Sequence, residues 1–129
     1  MTSPLPGSIG WIDLTVADAP RIRDFYHQVA GWSVSHVPMG DYDDYNLLDA
    51  EGTPVAGICH AQGVNAGLPS HWLMYITVTD IEASVERARE LGGEILRDIT
   101  GMGALGRYAV IRDPADAVFA LFEPEELSA

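Results

Sequence analysis

Ile12-Asp13-Leu14-Thr15-Val16-Ala17-Asp18 returns 62 residues later as Met74-Tyr75-Ile76-Thr77-Val78-Thr79-Asp80. Gly31 and Gly93 keep that offset, as do Val34 and Leu96. Towards the end of each copy, Val55-Ala56-Gly57-Ile58-Cys59-His60 answers to Val118-Phe119-Ala120-Leu121-Phe122-Glu123 at an offset of 63. Three elements in one order, with a single inserted residue, make an internal repeat. A repeat of this kind sets the architecture before any finer reading of the residues.

Each copy opens on alternation. Ile12, Leu14 and Val16 share one face of a strand, and Trp11, Asp13 and Thr15 share the other. Asp18 caps a following helix, whose apolar stripe is Ile22, Phe25, Tyr26 and Val29. Gly31 ends it as a left-handed cap residue. Strands are expected at 32–37, 45–49 and 54–60, with an acidic, solvated turn at 41–44; that turn lacks the residue spacing of a calcium loop. In the second copy a strand at 73–78 precedes a helix capped by Thr79 or Asp80, and Thr79 with Glu82 fits a capping box. Ile81, Val85 and Ala88 face inward and Gly92-Gly93 stops the helix. Strands at 94–97, 107–112 and 117–122 follow, and the glycine-rich stretch 98–106 reads as a flexible flap. The expectation is an α+β chain, βαβββ written twice. It is one domain over 1–129, with a first module at 8–60, a linker at 61–69 and a second module at 70–124.

The 129 residues fit one domain, and a chain of that size buries about two-thirds of its unfolded surface. An apolar fraction of 47% excludes wholesale disorder. No run approaches the length of a membrane span, and the first residues lack the basic and apolar regions of a signal peptide. Cys59 is the one cysteine, so no internal disulfide is available and the cytoplasm is the expected compartment. Nineteen acidic residues oppose seven arginines and no lysine, for a net charge of −12. With no basic patch, nucleic acid and anionic membranes are excluded as partners; the acidic surface favours a cationic ligand.

The apolar strand faces should receive the helices, together with Ala56, Ile58, Phe119 and Leu121. The opposite face is then concave and mixed: Trp11, Asp13, Thr15, Gly57, Cys59, Leu73, Tyr75, Thr77, Ala120 and Phe122. Apolar walls with a few polar anchors are what small-molecule sites look like.

The repeat, the openings Val16-Ala17-Asp18 and Val78-Thr79-Asp80, Phe25-Tyr26 followed by Gly31-Trp32, and Asp113-Pro114 before the last strand resemble the glyoxalase/bleomycin-resistance/dioxygenase family, also called the vicinal oxygen chelate (VOC) superfamily. The resemblance covers residues 10 to about 124. It implies two βαβββ modules enclosing a cleft, and often a dimer. It also implies metal ligands at the start of each module's first strand and the middle of each last strand. Those positions here are Trp11, Gly57, Leu73 and Ala120. None can bind a divalent cation, which needs imidazole, thiolate or carboxylate donors. One-residue slips offer Ile12, Ala56 or Ile58, Trp72 or Met74, and Phe119 or Leu121, none of them a ligand. The expected cofactor is therefore none.

Asp13 is the sharpest candidate: a carboxylate in mid-strand among aromatic neighbours, either a general base raised by desolvation or an anchor for a cation. Tyr75, its counterpart in the repeat, would donate a hydrogen bond. Trp11, Trp72, Tyr45, Tyr108 and Phe122 are flat surfaces for stacking, Leu73 is a wall residue, and His71 is placed at the rim. Cys59 has the parity of the concave face but no neighbouring cation to activate it. Arg107 is expected to pair with one of the many carboxylates. Asp13 with His71 stands as a two-ligand alternative, while His27 lies on the first helix off its apolar stripe, His36 sits near a strand end before Pro38, and His60 has the wrong parity for the face. The reading that results is a metal-independent binder of a small organic ligand, aromatic or cationic. A metal-independent lyase, isomerase or oxygenase-type enzyme using Asp13 as base is the alternative. A homodimer is expected in either case.

Overall fold

The computed structural model describes residues 5–125. Its elements run β1 (Ile9–Val16), α1 (Ala19–Ala30), β2 (Ser33–Pro38), β3 (Asp43–Leu48), β4 (Pro54–His60), a short 3-10 turn at Gly63–Asn65, β5 (Trp72–Thr77), α2 (Ile81–Glu90), β6 (Glu94–Gly101), a second 3-10 turn at Gly103–Leu105, β7 (Gly106–Arg112) and β8 (Val118–Pro124). The order is βαβββ, twice, in an α+β chain. Two compact units result. One is Trp11–Trp72; the other joins the residues up to Gly10 to those from Leu73 onward. The early residues belong with the second unit because Gly7 donates to the Thr77 carbonyl at 2.8 Å and Thr77 donates back to the Ser8 carbonyl at 2.9 Å.

Within the first unit the strands lie in the order β2-β3-β4-β1, and within the second in the order β5-β8-β7-β6. The pairing obeys the repeat. β1 runs parallel to β4, with Asp13 opposite Gly57 and Thr15 opposite Cys59. β5 runs parallel to β8, with Tyr75 opposite Ala120 and Thr77 opposite Phe122. The offsets of 62 and 63 in the sequence are thus the same rungs of two ladders.

Each helix covers the face that alternation assigned to it. In the first unit Leu14, Ala19, Tyr45, Leu47, Ala56 and Ile58 form the core, flanked by Ile12, Val16, Ile22 and Tyr26. In the second, Ile81 and Val85 from α2 pack on Ala109, Ile111 and Leu121. The α1 stripe departs from expectation. Phe25 and Val29 are exposed, at 54% and 67%, and the inward line is Ala19, Ile22, Arg23 and Tyr26. Both lines have helical spacing and share Ile22 and Tyr26, so periodicity alone cannot choose between them. The sheet chooses: the Arg23 guanidinium lies 4.8 Å from the Tyr45 ring centroid, while Trp32 and Trp72 pack beside Tyr26.

Three local expectations are corrected. The stretch at 41–44 is not wholly a turn, because β3 begins at Asp43 and Asp44 is buried. Its carboxylate satisfies the backbone N–H of His60 at 2.8 Å, and an acceptor there stabilises burial. The flap is mostly strand: β6 continues to Gly101, with Thr100 opposite Tyr108. Irregularities between Ile95 and Arg97 and between Arg97 and Thr100 break the alternation that would have revealed it. Finally, α2 is capped by Asp80, which accepts from Ala83 N at 3.1 Å, and by Glu123 of β8, which accepts from Ile81 N at 3.0 Å. The capping box through Thr79 is not used.

Candidate functional site

Trp11 and Asp13 lie two residues apart on β1 and so project from the same face. The Trp11 indole Nε1 donates to Asp13 Oδ1 at 2.6 Å. Gly57 lies opposite Asp13 on β4, and the pair occupies the space in front of it. A Cβ at position 57 would run into the Asp13 carboxylate oxygen and sit 3.3 Å from Trp11 Nε1. Glycine is required here by that close approach, not by backbone angle. The rung continues outward: Asn46 lies opposite Gly57 and Ser35 opposite Asn46. The neighbouring rung carries Thr15 and Cys59. Burial pushes the Cys59 thiol well above its ordinary range, and the charges of Asp13 and Asp44 and a hydrogen bond to Asp44 push it further. The thiol is protonated at neutral pH and is no nucleophile. His60 belongs to the helix side, its ring 4.9 Å from that of Tyr42 and its Nδ1 3.4 Å from Asp44 Oδ1.

The corresponding rung of the second unit is built differently. Tyr75 lies opposite Ala120, Ala120 opposite Val110 and Val110 opposite Arg97. The next rung is Thr77, Phe122, Tyr108 and Thr100. Leu73 and Ala120 are fully buried, and Tyr75 and Tyr108 nearly so; the two tyrosine rings stand 6.2 Å apart. The serine, asparagine, glycine and aspartate of the first unit are thus matched by arginine, valine, alanine and tyrosine.

Trp11, Asp13 and Cys59 therefore cluster in the first unit, and Leu73, Tyr75, Tyr108 and Phe122 in the second. His71 is exposed just ahead of β5. Trp72 and Tyr45 serve the core around α1. The sequence reasoning missed Asp44, Asn46 and Arg97. Starting β3 at Asp43 would have put Asp44 and Asn46 on the face of Cys59 and Gly57 by simple alternation. Arg97 was hidden by the irregular register of β6.

The four family metal positions can now be tested against this geometry. Trp11 spends its one polar atom as a donor to Asp13, Gly57 has no side chain and no room for one, and Leu73 and Ala120 are buried hydrocarbon. This donor set does not fit a divalent cation. Among the described residues the one cluster of three potential ligands is Asp80, Glu82 and Glu123, at the start of α2. A guanidinium already sits on it. Arg107 contacts Glu82 in bidentate fashion at 2.6 and 2.9 Å and Glu123 at 2.6 Å. The hydrogen bond from Arg107 holds Glu82 below the ordinary carboxylate range, and the two glutamates raise Arg107. Arg107 is thus a partner of carboxylates.

The βαβββ order written twice is the arrangement of the vicinal oxygen chelate type. The chain belongs to the Glyoxalase/Bleomycin resistance protein/Dioxygenase superfamily, which matches residues 8–121. It is 30% identical to the anthracycline biosynthesis protein DnrV of Streptomyces peucetius over 95% of this chain and 49% of that protein. It is 28% identical to CFP32 of Mycobacterium tuberculosis, which carries a provisional glyoxylase name, over 92% of this chain and 44% of that one. The chain thus spans about half the length of these curated relatives. Among solved structures, methylmalonyl-CoA epimerase from Mycobacterium tuberculosis aligns with a TM-score of 0.58 at 20% identity, covering 98% of this chain and 93% of the other. That likeness is one of fold. Among the described residues no helix is long and apolar enough to cross a membrane.

Proposed function

We propose that this chain is a small-molecule binding member of the superfamily whose site does not use the family's four-ligand chelate. The observation that carries the reading is the Trp11–Asp13 hydrogen bond lying across Gly57, at two positions where metal-using relatives place ligands. A carboxylate already fixed by the Trp11 N–H suits an anchor better than a base. Asn46, Ser35 and Thr15 extend that face with neutral hydrogen-bonding groups, and Trp11 supplies an aromatic wall. The ligand class this favours is a small organic molecule presenting a cationic or hydrogen-bond-donating group beside a flat ring, attracted by the acidic surface.

The test is a thermal-shift screen of aromatic amines against neutral and acidic analogues. A compound at 100 times its Kd adds about 2.7 kcal/mol of stability. Selective stabilisation by the amines, lost in Asp13→Asn, supports the reading; indifference to every amine overturns it. The acid–base enzyme is separated by the same variant. An enzyme that uses Asp13 as base loses turnover in Asp13→Asn while keeping affinity for a neutral substrate.

A further inference from the structure

Trp72 and Tyr26 close the flank of α1 in the first unit. Their rings meet edge to face at 5.2 Å, and Trp72 Nε1 donates to the Tyr26 hydroxyl at 3.0 Å. Trp32 packs on both, at 5.8 and 5.9 Å. At the offset of 62, the counterpart of Trp72 is Gly10, that of Tyr26 is Ala88, and that of the adjoining Phe25 is Arg87. Trp72, Tyr26 and Phe25 of the first unit's flank are thus replaced by glycine, alanine and an arginine that reaches solvent, and Trp32 by Glu94, which pairs with Arg112. The strand below compensates only in part, with Phe119 where the first copy has Ala56.

The second unit consequently carries a groove of about 510 Å3 along α2, bounded by Ala88, Phe119 and Leu121 and by Ser84, Arg87 and Leu91. It is open to solvent along its length, so an occupant would lie in it with one face exposed. Its lining is apolar except for Ser84 and Arg87, and Arg87 is the one charged residue in it. The ion pair of Arg87 with Glu90, at 3.2 Å, joins two exposed side chains. Such a pair is weak, and it leaves most of the five guanidinium donors available.

We propose that this groove binds a single planar aromatic acid. The ring takes the place that the Trp72 indole holds beside α1, against Ala88, Phe119 and Leu121, and the anionic group faces Arg87. The occupant follows from the molecule itself: the same flank in the sister unit is filled by an indole, and the one charged residue that lines the groove is positive. The site lies outside the Trp11–Asp13 face and does not depend on it.

The experiment is an NMR titration of the whole chain, reading the Ala83 and Ala88 methyl signals, with indole-3-carboxylate, indole and tryptamine as probes. Saturable shifts are expected, tightest for the acid and weakest for the amine. Arg87→Gln should weaken the acid about threefold, the worth of an exposed ion pair, and leave indole unchanged. Ala88→Tyr restores the sister residue and should abolish binding of all three. Ala83→Trp, on an exposed position of the same helix wall, blocks the groove without touching the core. The absence of saturable shifts with any probe, or undiminished binding in the folded blocking variants, overturns the site. Equal affinity for acid and amine overturns the assignment of an acid. Asp13→Asn leaves these titrations unchanged, so failure here and failure of the proposed function are told apart.

Discussion

Trp11 Nε1 and Asp13 Oδ1 stand 2.6 Å apart over a glycine that cannot become anything else without moving them. Gly57→Ala should therefore destabilise by about 1–3 kcal/mol, the usual cost of overpacking. Most of that loss should vanish in an Asp13→Ala background, where the colliding oxygen is gone. A double-mutant cycle from urea denaturation measures the coupling; additive losses would mean that the carboxylate is not what fills the space.

Asp44 is buried and accepts from the His60 backbone. Asp44→Ala leaves that N–H without its acceptor and should cost about 1–3 kcal/mol. Chemical denaturation reads the loss directly, and a change under about 0.5 kcal/mol, typical of surface sites, would show that the contact is dispensable.

Cys59 should resist alkylation in the folded protein. Its thiol is pushed up by burial and by the charges of Asp13 and Asp44, so the reactive thiolate is scarce at pH 8. Labelling by iodoacetamide, followed by mass spectrometry, is expected to track global unfolding in a urea series. Rapid labelling without denaturant would contradict the buried geometry.

The Arg107 contacts predict a pH dependence. Glu82 is depressed by Arg107 when folded, so its stabilising contribution is present above the unfolded glutamate value of about 4.3. It is lost as pH falls through the lower, folded value. Comparing Arg107→Gln with the unmodified chain, the stability difference should be largest near neutral pH and should close as pH drops below about 4. A difference constant across that range would mean that Arg107 acts through packing alone.

We propose a homodimer, which should tighten as salt rises. Two chains of charge −12 repel one another, and at physiological ionic strength the Debye length of about 8 Å screens much of that repulsion. Sedimentation velocity at micromolar concentration across a salt series decides it, and a monomer at every salt level rules it out.

The order of elements was legible because it depends on neighbours in the chain. Alternation at Trp11–Val16, the caps Asp18 and Asp80, and the glycine after α1 are local rules, and the repeat doubled their weight. The lack of metal donors at positions 11, 57, 73 and 120 was legible for the same reason, since residue chemistry needs no coordinates.

The tertiary structure alone decided what depends on partners distant in sequence. Two overlapping stripes on α1 have the same period, and only Tyr45, Trp32 and Trp72 determine that Arg23 turns inward while Phe25 and Val29 face out. Asp44 looks like part of a polar turn until the His60 N–H, sixteen residues away, gives its carboxylate a reason to be buried. Asp13 was a bare candidate until folding set it opposite a glycine that leaves room for it and for the Trp11 indole. The Trp11–Asp13 contact is local to β1, but the room for it comes from Gly57 on β4, and that pairing is set by register, a property of paired strands.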